Sequence, residues 1–127
     1  ATHEVKAILD WELSTLGNPI ADFTYHMMSW RLPAGAKGLG MMGSDLKSLN
    51  IPSESEYAEL YYKKTGREKI DNWDFYMAYN IFRLAGIAQG IVGRVRDGTA
   101  SSSEAKNYEA FVPILGKLGW SIVEGIK

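Results

Sequence analysis

Between Trp73 and Arg96 the chain reads WDFYMAYNIFRLAGIAQGIVGRVR, a long stretch with no proline in it. Phe75, Tyr79, Phe82, Gly86 and their neighbours keep helical spacing over many turns, so one long helix is predicted here. Its apolar surface is broad enough to be covered from more than one side, and a helix of that kind requires other helices as neighbours. Asp97-Gly98 stops it. A chain of 127 residues with 46% hydrophobic content can supply such a core, at the size of one domain or part of one.

The neighbours can be read from their ends. Asn18 before Pro19 is a helix start: a side chain that accepts from free backbone amides, then a residue whose missing N–H costs nothing at the first helical position. That helix is predicted to run to about Trp30, with Pro33 and a glycine-rich loop beyond it. Ser53 and Glu56 have capping-box spacing for a second helix to about Thr65, before Gly66. Ser101-Ser102-Ser103-Glu104 offers caps for a last helix reaching about Gly125, kinked at Pro113. Ahead of all these, Val5–Leu9 reads as one short strand with Asp10 at its exit. The fold class expected is therefore mainly α, with one short N-terminal strand. Because a lone strand needs a partner for its backbone groups, the chain is expected to be the back half of a larger domain.

Charge and composition narrow the function. Fourteen basic residues against fifteen acidic ones leave a formal charge of -1, which provides no field for nucleic acid or an anionic membrane, and neither is expected as a partner. Without cysteine there is no disulfide framework, thiolate metal site or cysteine nucleophile; a cytoplasmic location is the expectation. The first residues lack the apolar core of a signal peptide, and no run approaches the roughly 20 apolar residues of a membrane span, so a soluble protein is expected. His3 and His26 are isolated, and no zinc site is expected from them.

The residues with the most chemistry are Asp10 and Glu12. Two carboxylates two positions apart at a strand exit can turn hard oxygen ligands to one side, and magnesium is usually held by one or two carboxylates plus substrate phosphates. D-x-E also arises by chance, and the plain alternative is a pair of solvated surface acids. The fuller context is more specific. ILDWELSTLGNPIADFTYH resembles the stretch after the catalytic loop in the aminoglycoside-phosphotransferase-like family. The resemblance is closest to the branch fused to some acyl-CoA dehydrogenases, in which I-x-D-W-E-x-[ST]-x-x-G-x-P-x-x-D-[LF]-A/T recurs. It continues through YHMMSWRLP, the residues from Ile51 to Tyr57, WDFYMAYNIFRLAGIAQGI and RDGTASS, nearly the whole chain.

That resemblance implies a protein-kinase-like phosphotransferase, of which residues 1–127 would be the helical C-terminal lobe, using ATP or GTP and Mg2+ to phosphorylate a hydroxyl of a small molecule. Asp10 would bind the magnesium that bridges the nucleotide phosphates. Glu12 would support it or hold a second ion, unless it simply faces solvent. Asp22 would hydrogen-bond backbone amides of the catalytic loop, the local alternative being a pair with His26 one turn on. The glycine-rich strand pair, the lysine and the H-G-D-x-x-x-x-N loop of such an enzyme are not among these residues, so the catalytic aspartate is expected upstream and this segment is expected to be inactive alone. The acceptor is left as an aminoglycoside-like compound or a metabolite. The rival reading is a non-catalytic helical interaction module or degenerate kinase lobe. A homo-oligomer formed through the surface left by the absent half is a further expectation.

Three other features need a reading. GLGMMG, from Gly38 to Gly43, matches G-x-G-x-x-G but follows no predicted strand, so a mobile loop with Met41 and Met42 as adaptable contacts is expected in place of a nucleotide site. Gly86, Gly90 and Gly93 fall near one helix face and suggest close approach by another backbone. Arg83 and Arg94 lie on or beside the apolar face, where a buried guanidinium would need a carboxylate such as Asp22 or Glu12, or a phosphate.

Overall fold

The computed structural model describes residues 4–10, 12, 14–35 and 40–126. Four helices carry the fold: α1 (Pro19–Met27), α2 (Glu54–Thr65), α3 (Trp73–Arg96) and α4 (Tyr108–Gly125). Short 3-10 turns extend α1 (Met28–Trp30) and lead into α4 (Ser103–Asn107). Among the described residues there is no strand, only an isolated bridge between Pro33 and Met42. The strand expected at Val5–Leu9 is thus absent: residues 4–10 are exposed and without regular structure. A strand has no stability without a second one to receive its hydrogen bonds, and the described residues supply none.

The helix ends are built by the residues that announced them. The Asn18 side chain accepts from the Ile20 amide at 3.0 Å, with Pro19 at the first helical position. Its other end donates to the Tyr76 hydroxyl at 2.8 Å, so the same cap fastens the entry of α1 to α3. Ser53 and Glu56 form the full capping box, and Gly66 closes α2 in the left-handed conformation at φ 67°. Ser102 caps the turn before α4 by accepting from the Glu104 amide. Pro113 lies inside α4, where it removes one backbone donor. The first helix stops three residues earlier than expected, its last turn tightening to 3-10 so that Met28 and Leu32 can turn inward.

The core is formed where α1 and α4 cover α3. Met27, Met28 and Leu32 from the first helix and its extension meet Met77, Ile81, Leu84 and Ala88 of α3, and Phe111 and Leu115 close the layer from α4. Burying each of the larger of these side chains contributes roughly 1.5–3 kcal/mol. Two polar side chains are buried with it: Asn80, fully buried, donates to the hydroxyl of the equally buried Thr24 at 2.8 Å and to the Ala21 carbonyl at 2.9 Å, tying α1 to α3.

One glycine expectation is corrected. Gly86, Gly90 and Gly93 face open space, with no atom within 4 Å of where a Cβ would lie, so no neighbouring backbone approaches them among the described residues. The glycine that does permit close approach is Gly40, where a Cβ would collide with the carbonyl oxygens of Pro33 and Leu32. The Met41 amide donates to the Ser29 carbonyl at 2.8 Å and the Met42 amide to that of Leu32 at 2.9 Å, so the end of the GLGMMG stretch is laced to the foot of α1. Gly38 lies outside the described residues.

Candidate functional site

Each of the three acids singled out by sequence is on the surface. Asp10 is exposed, makes no hydrogen bond or ion pair with another described residue, and has a backbone φ of 72°. Left-handed backbone at a residue other than glycine costs roughly 1–2 kcal/mol, with aspartate and asparagine among the few that adopt it. Such an outlier, with no contact of its own to hold it, is motive to look for a function. Glu12 is also exposed, two positions on. Trp11, between them, lies outside the described residues, as does His3.

Asp22 sits in the first turn of α1, where a carboxylate complements the partial positive charge of the helix start. It is exposed and does not pair with His26, whose ring packs instead at 5.7 Å from Trp30 and 5.5 Å from Tyr57. Among the described residues no three histidine or acidic side chains gather as a metal cage. A magnesium ion bound partly by phosphates needs only one or two carboxylates, and Asp10 with Glu12 has that donor chemistry. The pair is linked to the helical core through residues 14–17 and the Asn18 anchor on Tyr76.

The arginines differ from expectation. Arg83 is exposed and its guanidinium lies over the ring of Tyr25, 4.8 Å from the centroid, instead of pairing with Asp22 or Glu12. Arg94 is exposed beside a shallow cavity near Ser101 and Glu104. The guanidinium that organises a charge cluster is Arg31, which sequence reasoning passed over. It donates to both oxygens of Glu54, with Nη2 at 2.7 Å and Nε at 3.0 Å, and through Nη1 to Asp74 at 2.6 Å. The Trp73 indole donates to the same Glu54 carboxylate at 2.7 Å. Burial on its own would lower the Arg31 pKa, but hydrogen bonds and charge from Glu54 and Asp74 prevail and raise it above the ordinary arginine value. Only the i+43 and i+23 separations join these residues in sequence, too distant for any local pattern to reveal.

Around this cluster runs a layer of rings. Phe23 stacks on Tyr61 with centroids 3.8 Å apart and meets Trp73 edge-on at 5.9 Å, while Trp30 packs on Tyr57 and donates its indole N–H to the Pro52 carbonyl at 2.9 Å. A cavity of about 430 Å3 opens between α2 and the start of α3, lined by Glu54, Glu59, Tyr62, Lys69 and Trp73 among others. Burial pushes the Tyr62 phenol above its usual range.

Fold and exposed acids together define a mainly helical lobe with a carboxylate-bearing entrance segment. The chain is similar to part of much longer proteins: acyl-CoA dehydrogenase family member 10 of Mus musculus, 42% identical over 118 residues, covers 92% of this chain and is itself matched over 11% of its length. Acyl-CoA dehydrogenase family member 11 of Homo sapiens is 34% identical over 116 residues, 91% of this chain and 15% of that protein. A probable acyl-CoA dehydrogenase of Arabidopsis thaliana, IBR3, is 34% identical over 107 residues, 79% of this chain and 13% of its own. The chain therefore spans only 11–15% of the length of these relatives. No protein-family model matches it, and no solved structure does. No described helix is long and apolar enough to cross a membrane.

Proposed function

We propose that this chain is the helical lobe of a kinase-like phosphotransferase that uses magnesium and ATP, or GTP, to phosphorylate a hydroxyl of a small molecule. The observation that carries the reading is Asp10: a left-handed, exposed carboxylate with no partner among the described residues, standing at the aspartate of the D-W-E-x-S-x-x-G-x-P-x-x-D pattern. In this reading Asp10 holds the ion and Glu12 supports it. Magnesium, when bound, supplies charge neutralisation at the transferring phosphoryl group. Asp22 acts by position, accepting from backbone amides of the loop that carries the catalytic aspartate, which these 127 residues do not include.

The acceptor proposed is a hydroxylated metabolite bearing an acyl chain. Two points support it over a cationic antibiotic: the acids of this chain are spread rather than gathered into an acidic pocket, and the relatives bear names referring to acyl-CoA. A cytoplasmic setting accompanies the reading, through the absence of cysteine.

Isothermal titration of the full-length protein with Mg-ATP tests this. Metal-dependent binding that disappears in Asp10→Ala is expected, followed by ATP consumption on a panel of hydroxyl compounds in which acylated ones are turned over. Binding that is absent, or indifferent to Asp10→Ala, would establish the non-catalytic helical module instead.

A further inference from the structure

The groove between α3 and α4 has no cover among the described residues. Phe75, Tyr79 and Phe82 of α3 form one wall and Trp120, Val123 and Ile126 of α4 the other, around a space of about 560 Å3. Phe82 is 76% exposed and Trp120 63%. None of the lining residues carries a charge, and small ones, Ala78, Gly116 and Gly119, lie between the walls. Such a surface selects its occupant by backbone chemistry. The walls offer few hydrogen-bonding groups, and the Trp120 indole N–H is already given to Glu124 at 2.9 Å. An extended segment laid there would strand its own amides and carbonyls, whereas a helix satisfies its own and can bring its apolar side down between the walls.

We infer that a helix of the same protein fills this groove, contributed by the polypeptide that precedes residue 1 in the full-length molecule, with its apolar side on Phe82 and Trp120. The chain spans only 11–15% of the length of its relatives, so a longer protein has ample polypeptide to supply one. The entry of the chain is fastened at the edge of the groove. Asn18 donates to the Tyr76 hydroxyl at 2.8 Å, and the Tyr76 ring meets Phe75, in the groove wall, edge-on at 5.6 Å. A segment joined to that entry competes for the groove at an effective concentration on the order of millimolar, which a separate molecule at micromolar concentration does not match. The entry itself is bare as well: Val5, Leu9 and Leu16 are exposed, and residues 4–10 form no strand. One body on the preceding side serves both surfaces. Placing the helix before residue 1 and not after Lys127 rests on the phosphotransferase reading, in which the other half of the domain precedes Asp10.

Photo-crosslinking in the full-length protein is the test, with p-benzoyl-phenylalanine in place of Phe82 and, separately, of Trp120. After irradiation, digestion and mass spectrometry, both positions should be joined to one stretch of sequence preceding residue 1. Attachment to sequence after Lys127, a product of twice the protein's mass, or no attached peptide overturns the proposal. Two substitutions guard against a probe that disturbs folding. Phe82→Arg sets a charge in a covered apolar groove and should lower the melting temperature of the full-length protein by several degrees, with Phe82→Leu lowering it by much less. Both variants melting with the parent would place the face in water and overturn the proposal as well. Titration of the same proteins with Mg-ATP keeps the two readings apart. Binding without the cross-link removes the packing alone, and the cross-link without binding leaves the packing standing and removes the phosphotransferase reading.

Discussion

At single positions the structure separates two kinds of glycine that look alike in sequence. Gly40 sits where the chain after Pro33 folds back on the carbonyls of Leu32 and Pro33, and any Cβ there forces backbone apart. Gly40→Ala should therefore cost on the order of 1–3 kcal/mol and loosen the Met41 and Met42 hydrogen bonds to the foot of α1. Gly90, exposed within α3, meets nothing among the described residues. There the alanine removes only the flexibility penalty of glycine, and Gly90→Ala should stabilise the chain by about 0.8–1 kcal/mol. Urea denaturation of both variants beside the parent would read the opposite signs directly. A loss at position 90 would mean that another backbone packs against that face after all.

Among the elements, α2 is the one held by side chains across a distance. Its seat consists of the ring layer around Phe23 and Tyr61 and the Arg31 fork on Glu54 and Asp74. The Arg31 and Glu54 side chains are each about one-quarter exposed at 26%, so their bond is partly sheltered from water. Arg31→Ala leaves Glu54 with the Trp73 indole as its remaining partner and should cost roughly 1–3 kcal/mol by thermal denaturation. Arg31→Lys should recover only part of this, since a single ammonium cannot match the two-pronged contact. The N-terminus of α2 adds a pH effect. Hydrogen bonds from the Ser53 amide, then from its hydroxyl, hold the Glu56 carboxylate below its ordinary pKa. A group lowered in the folded state stabilises fully above the unfolded glutamate range, near pH 4.3, and that contribution is lost as pH falls through the lower folded value. Glu56→Gln should thus flatten the acid limb of the melting temperature measured by circular dichroism. How much of this was legible follows from the range of each interaction. The Ser53 box and the Asn18 cap are contained in four residues, and the long apolar period of α3 marks both its ends. Arg31 joins partners 23 and 43 positions away and left no trace in sequence. Val5–Leu9 was read as a strand and, with no partner strand among the described residues, forms none. Asp10, Glu12 and Asp22 were visible only because their order matched a longer pattern; their spacing alone would have passed for surface acids.

Taken whole, the molecule has one tight layer and one looser attachment. Met27, Leu32, Met77, Ile81 and Leu115 are completely buried where α1, α3 and α4 meet, whereas α2 contributes only Ala58 and Tyr62 to the buried set and touches the rest through rings and the Arg31 cluster. Cooperative units of different stability are expected from such a division, because a helix fixed by few buried contacts can open while the main layer stays closed. Amide hydrogen exchange should show two classes. Amides of α3 from Met77 to Ala88 should exchange only through global unfolding, and those of α2 through a cheaper local opening. Phe23→Ala removes the ring that stacks on Tyr61 and meets Trp73, so it should speed exchange in α2 by a much larger factor than in α3. Equal acceleration in both helices would show that α2 unfolds only with the core. The cavity beside Glu54, Tyr62 and Trp73 is walled on one side by α2. A helix that can part from the core alone lets that cavity widen without disturbing the Asn18–Tyr76 anchor, through which the Asp10 segment meets the core.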